Sequence, residues 1–361
     1  MNRATPHAAL RAAGAASLAL AAACSTGTLH QTPPPSPSGT LPPSTPIVLD
    51  QTISIEPWRY AGAEGSVIRT AHYRIFTTAH APSLRDRAPG FLEHALAHYR
   101  SALGPLPLPA ARLDTYILRT RSQWNTLTKQ LMSGQADSLL RIPRGGYASR
   151  GIGVYYDIGL FDTLAIAAHE GWHQYTQRTF REGLPVWLDE GIASFMEGHR
   201  WDGPTPRFLP WANIQRFDAL RAAVARAGAG DASVLTLARL LEARPSDFLD
   251  SADESVLTYY AQLWALVHFL NEGAGGRYAS ALRSLLADAA TGRTTQTVAE
   301  RLGPGAARRM ATRLGPGVFL AYFNHDFEAA EVEYRDFLTQ VVRTGAREAM
   351  TLGRSPISDP H

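Results

Sequence analysis

The pentapeptide His169-Glu170-Gly171-Trp172-His173 limits what this chain can fold into more than any other stretch. Positions i and i+4 share one face of an α-helix, so both imidazoles can reach a single tetrahedral metal ion when the segment is helical. Glu170 then lies about 100° round the helix from His169, beside such an ion rather than on it. A carboxylate there can take a proton from a water that the metal activates. Residues 161–178 read as the helix that carries the motif, and Leu164 to Ala168 are apolar on every side, which implies burial.

A catalytic zinc wants three protein ligands and an open position. A histidine six residues beyond His173 would stand where Thr179 is, and the intervening glycine of that pattern is replaced by Thr176. The metzincin arrangement is thereby excluded. Glu190 lies seventeen positions beyond His173, within Leu184-Pro-Val-Trp-Leu-Asp-Glu-Gly-Ile-Ala193. That distance leaves room for a turn and a second helix crossing back over the first.

Here the chain resembles the gluzincins, whose third zinc ligand is the Glu of a W-L-x-E-G-x-A segment. Trp187, Leu188, Glu190, Gly191 and Ala193 match it, and Glu197 matches a further acidic position of the aminopeptidase-like members. The connection is slightly shorter than in the best-known families. Thr258 to Leu270 resembles the helix that follows the catalytic tyrosine, which would make Tyr260 the phenol that hydrogen-bonds an oxyanion, with Tyr259 the competing choice. Tyr260, Trp264 and His268 also form a stripe that core packing would explain. Gly145-Gly146-Tyr147-Ala148 falls where gluzincins carry the edge strand that pairs with an extended peptide; a bulge or a hairpin turn explains it equally.

The resemblance implies an α+β, zincin-like fold. It would comprise an N-terminal mixed α/β lobe with an active-site helix and a mostly helical C-terminal lobe closing a cleft. One Zn2+ would be held by His169, His173 and Glu190, with Glu170 as the base. Asp189 and Glu197 are candidates for orienting the histidines from behind. From about Trp58 to Val342 the chain is similar in pattern to gluzincin-like bacterial envelope proteins, most densely between Thr163 and Glu197.

With 361 residues, 45% of them apolar, the chain can bury a sizeable core. Its net charge of +3 includes Arg3 and Arg11, and Lys129 is the only lysine. Without those two arginines the remainder is near neutral, so a nucleic-acid partner is not expected. Residues 1–23 read as a signal peptide: an Arg-bearing start, then an Ala-rich apolar stretch ending in small residues. The single cysteine, Cys24, follows at once, and Leu20 to Cys24 resembles a lipobox, which would make Cys24 a lipid anchor to the membrane. Ordinary cleavage after Ala23 is the alternative. With one cysteine, neither an intramolecular disulfide nor a thiolate zinc ligand is available. Residues 24–46, rich in Pro, Ser and Thr, read as an extended tether.

The boundaries that follow are 47–200 for the α/β lobe with the metal site, 201–345 for the helical lobe, and 346–361 for a flexible tail. Strands are expected over 66–78 and 113–118, a hairpin or interrupted strand over 145–158, and helices over 89–103 and 121–131. Pro185 should open the helix bearing Glu190, and Gly198 should close it. Further helices are expected over 214–227, 236–243, 255–271, 277–289, 294–302 and 329–342. The repeated Arg-Leu-Gly-Pro-Gly at 301–305 and 313–317 reads as two helix-ending turns.

The functional expectation is an exported, zinc-dependent peptidase of the cell envelope acting on a peptide or protein. Two alternatives stand beside it: a zinc hydrolase of a non-peptide amide or cell-wall substrate, and a non-catalytic binding lipoprotein on the same scaffold.

Overall fold

The computed structural model describes residues 52–142, 144–248 and 253–357. The expected signal peptide, the Cys24 anchor and the tether to 46 lie outside the described residues. Among those described, no helix is long and apolar enough to cross a membrane.

A six-stranded sheet of order β1-β2-β3-β4-β6-β5 forms the N-terminal part. Strands β1 (Ser54–Tyr60), β2 (Ala63–Arg69) and β3 (Tyr73–Thr77) make an antiparallel meander. Helix α1 (Pro82–Tyr99) returns the chain so that β4 (Leu113–Leu118) lies parallel to β3. Helices α2 (Arg121–Leu131) and α3 (Ala136–Leu139) precede the edge hairpin of β5 (Gly146–Ser149) and β6 (Ile152–Tyr156), with β6 parallel to β4. Alternation along β6 separates the two faces: Tyr155 joins the core beneath α1, whereas Val154 and Tyr156 pack with Trp124 of α2.

The motif helix α4 (Leu160–Thr179) runs along the open edge, against β5 and β6. Gly159, at φ 103°, makes the turn into it, a backbone angle that favours glycine. Helix α5 (Val186–Met196) follows Pro185. The turn between them is held from the helical region, since Arg181 and Glu182 donate their N–H to Ala289 O, and Val186 N–H bonds Arg313 O at 2.9 Å. After the hairpin β7 (His199–Asp202) and β8 (Thr205–Phe208) come α6 (Ile214–Gly228), α7 (Leu237–Glu242) and α8 (Asp253–Gly276). Then come α9 (Ala279–Thr291), α10 (Thr294–Leu302), α11 (Pro304–Arg309), α12 (Gly317–Tyr322), α13 (Phe327–Val341) and α14 (Ala346–Thr351).

Two glycines set the helix crossings. A Cβ on Gly191 would lie 2.8 Å from Leu263 O and 2.9 Å from Val267 Cγ2, so only glycine lets α5 sit this close on α8. A Cβ on Gly171 would lie 2.5 Å from the Tyr99 hydroxyl, which reaches past it to donate to Ala168 O at 2.7 Å. The W-L-x-E-G-x-A glycine is therefore a packing requirement for the helix that carries Glu190.

The fold is mixed α+β with a small sheet, as expected, but several expectations need correction. Residues 66–78 form parts of two strands, turned at 70–72, rather than one strand. Helix α1 opens at Pro82, which takes the first turn, so Pro89 lies inside the helix instead of starting it. The hairpin β7–β8 was not anticipated. Its strands have four residues each, too few to show a period, and His199, Trp201 and Phe208 pack against Phe91 of α1. The tail expected to be flexible forms α14, with Ala346 and Met350 buried, while Ser355 Oγ bonds Glu272 at 2.6 Å. One cluster of buried side chains runs from Ile68 to Met350, joining the sheet's inner face to the helices.

Replacing Gly191 with Ala should destabilise the protein by about 1–3 kcal/mol, the usual cost of forcing a methyl into a packed contact. Urea unfolding followed by circular dichroism measures it; an unchanged midpoint would mean the helices separate freely.

Candidate metal centre

Helix α4 places His169 and His173 one turn apart on the face toward α5, and α5 returns across them carrying Glu190. The side chains converge. Glu190 Oε2 is 3.4 Å from His169 Nε2 and 3.6 Å from His173 Nε2. One ligand atom from each residue lies within 4.8 Å of the others, and all three residues are buried. None of these three atoms has a hydrogen-bond partner. Buried polar atoms are nearly always satisfied, so a group of orphaned lone pairs facing one point fits a cation. These residues can hold a metal ion.

Each imidazole has a carboxylate beside its other nitrogen. His169 Nδ1 is 2.8 Å from Glu197 Oε1, and His173 Nδ1 is 3.2 Å from Asp189 Oδ1. Glu197 hydrogen-bonds His169 at Nδ1, whereas Asp189 lies at ion-pair distance from His173 Nδ1 without a hydrogen bond to it; a carboxylate on that side favours an Nε2 lone pair facing inward. Both acids suggested for this role thus lie behind the ligands. Behind each acid stands an arginine: Arg216 donates from Nη2 to Glu197 Oε1 at 2.7 Å, and Arg313 donates from Nη2 to Asp189 Oδ2 at 2.6 Å. Asn213 Nδ2 adds a bond to Glu197 Oε2 at 2.7 Å, and Trp172 Nε1 one to Asp189 Oδ1 at 3.1 Å.

Glu170 is fully buried beside the three donors. Its Oε2 accepts the Ala148 N–H of β5 at 2.8 Å, while Oε1 has no partner. Ala148 O in turn accepts from Gln177 Nε2 at 3.3 Å. The segment 145–148 is therefore both an edge strand and half of a hairpin, and Ala148 is committed on its open side to α4. Tyr260 reaches the site from α8, its ring 6.0 Å from that of His169 and under the Arg216 guanidinium at 5.1 Å. Tyr259 turns away: its hydroxyl donates to Ala243 O at 3.1 Å and its ring stacks on Phe248. His268, on the same stripe, packs on Trp211 and pairs with Glu272, which is core structure.

Burial and charge set the protonation of these groups. Burial raises the Glu170 carboxyl to about 7, against the pull of His169 and His173. For His169 burial opposes the charged form, but Glu190 and Glu197 outweigh it and raise the imidazole to about 9. His173 is raised in the same way by Asp189 and Glu190 against burial. Glu197 is lowered to about 2 because Arg216 and His169 outweigh its burial, and Asp189 is lowered by His173 and Arg313 against the same penalty.

A family model described as "Protein of unknown function (DUF1570)" matches residues 163–289. That span contains His169, Glu170, His173, Glu190, Glu197, Arg216 and Tyr260, but not Arg313. Comparison with curated proteins and with solved structures finds no match. Sequence reasoning had not picked out Ala148 as the donor to Glu170, nor Arg216 and Arg313. A backbone N–H has no sequence signal, and the arginines lie 19 and 124 positions from their carboxylates.

Because both histidines bind protons more tightly than a free imidazole, a metal must displace them. Below about pH 9 the metal-free protein holds the His169 proton, and loading should release it. Calorimetric titration with zinc at pH 7 in buffers of different ionisation enthalpy should show net proton release, and zinc affinity should fall as the pH is lowered. Binding with no proton release would contradict this arrangement.

Proposed function

We propose that the protein is a zinc-dependent hydrolase, most simply a peptidase of gluzincin type, with Zn2+ on His169, His173 and Glu190. The observation that carries this reading is the set of three buried, orphaned donor atoms with a second carboxylate, Glu170, beside them and also unpartnered at Oε1. Donors about 2.0–2.1 Å from a tetrahedral zinc stand about 3.3 Å apart. The Glu190 oxygen is 3.4 and 3.6 Å from the two nitrogens. Two imidazoles and a carboxylate also form the ligand set of known catalytic zinc sites.

Zinc bound there would act as a Lewis acid, lowering the pKa of water and polarising a substrate carbonyl. Glu170 Oε1 takes the proton of the attacking water and passes it to the leaving amine, while Oε2 stays anchored on Ala148 N–H. Burial raises this carboxyl, the direction that lets one group both take a proton and give it back. The Tyr260 phenol, raised well above its usual range by burial and by Glu190, stays protonated and can donate to a developing oxyanion. Asp189 and Glu197 keep the histidine lone pairs directed inward. An exported location with a lipid anchor on Cys24, and an envelope peptide or protein as substrate, belong to the same proposal and rest on residues 1–46.

Exchanging Glu170 for Gln should leave one equivalent of zinc bound and lower turnover of a peptide library by about 10²–10⁴-fold. Hydrolysis at the wild-type rate would remove Glu170 from this role. Exchanging Tyr260 for Phe should lower kcat by about 10²-fold with KM nearly unchanged. The log of kcat/KM should fall with unit slope below the pKa of Glu170, which bound zinc would bring under its value of about 7. A flat acid limb down to pH 4 would argue for a different base.

A further inference from the structure

We infer that Arg216 and Arg313 are positioning residues of the metal centre, each fixing one histidine ligand through its carboxylate, and that the Arg313 arm is the adjustable one. This rests on the zinc reading above.

The two arms have the same order, arginine, carboxylate, imidazole, and different construction. On the His169 side, Arg216 is buried and binds Glu197 through two parallel bonds, Nη2 to Oε1 at 2.7 Å and Nε to Oε2 at 3.0 Å. Asn213 shares Oε2 at 2.7 Å, and both Asn213 and Arg216 come from one helix start, where the Asn213 side chain caps α6. This arm is rigid and saturated.

On the His173 side, Arg313 reaches Asp189 by one bond at 2.6 Å, and its Nε is spent on Leu184 O at 2.6 Å. Its side chain is 26% exposed, against 8% for Arg216. Arg313 sits in a left-handed turn, φ 56°, ahead of α12, beyond the residues that the family model matches. Its outer side borders a cavity of about 500 Å³ lined by Glu242, Met310, Leu314 and Val318 among others. The second Arg-Leu-Gly-Pro-Gly copy thus does more than end a helix: its arginine ties the α4–α5 turn, through Leu184, and the His173 carboxylate to the helical region. The first copy has no such role, since Arg301 donates to Ala321 O.

Positioning and plain electrostatics give opposite signs. Removing a positive charge near a cation site, with nothing else changed, tightens cation binding. Removing a group that holds a ligand's partner weakens it, commonly by about 10–100-fold. Truncating Arg313 opens onto an existing cavity, so it creates no new enclosed void.

The test is zinc affinity of the metal-free full chain, by competition with a chromophoric chelator, alongside the visible spectrum of the cobalt form. Arg313→Gln should weaken zinc binding at least about tenfold and alter the cobalt bands, and Arg313→Lys should recover part of the loss. In an Asp189→Asn background the Arg313→Gln change should add nothing, whereas in a Glu197→Gln background it should act in full. Wild-type or tighter affinity in Arg313→Gln would overturn the proposal while leaving the zinc site intact. If Arg313→Gln fails to fold, wild-type affinity in Arg313→Lys would overturn it in the same way, because lysine keeps the charge but cannot hold Leu184 O and Asp189 Oδ2 at once. A wild-type chain that binds no zinc would instead sink the metal reading itself.

Discussion

Three lone pairs pointed at one another inside a protein are tolerable only with something positive among them. The Nε2 atoms of His169 and His173 and the Oε2 of Glu190 are in that position. An unpaired buried polar atom costs about 1–3 kcal/mol. The neighbouring architecture holds these atoms together against that cost. The Gly191 crossing brings α5 down on α8, the Gly171 gap lets Tyr99 lock α4 to α1, and the α4–α5 turn is bonded to Ala289 and Arg313. The core beneath is continuous from the sheet to the last helix, so the convergence is held from both sides.

What was legible in the sequence was legible for local reasons. His169, Glu170 and His173 lie within one helical turn and a fraction, so their relation follows from helix geometry alone. Helices α2 and α10 and strand β4 have the bounds expected, because a Thr120 cap, a glycine stop and β-branched alternation are all nearest-neighbour signals. Glu190 was reachable because one turn separates its helix from the motif. Beyond that distance the signal fades. The choice between Tyr259 and Tyr260 needed the direction α8 takes over α5, and a shift of one residue turns a helical side chain by about 100°. The arginines behind Asp189 and Glu197 look, in the sequence, like two among many.

The edge strand shows how a local reading can be right about placement and incomplete about use. Residues 146–149 do lie at the sheet edge beside the motif helix. Ala148 nevertheless gives its N–H to Glu170 and its carbonyl to Gln177, so in this conformation the edge serves the helix. An extended peptide pairing at that residue would have to displace Gln177 and share the amide that anchors Glu170. Binding at the edge and the orientation of the carboxylate are therefore coupled through one peptide unit.

Summing the buried charge gives a consequence of a different kind. Four carboxylates, Glu170, Asp189, Glu190 and Glu197, share this small volume with two guanidinium groups, Arg216 and Arg313. With the carboxylates ionised and the imidazoles neutral, two negative charges are left over in a medium that solvates them poorly. Protons on His169 and His173, which both bind them more tightly than a free imidazole, balance that charge in the metal-free chain, and a divalent ion in their place would do the same. Exchanging two protons for one divalent ion would therefore leave the buried charge of the cluster unchanged.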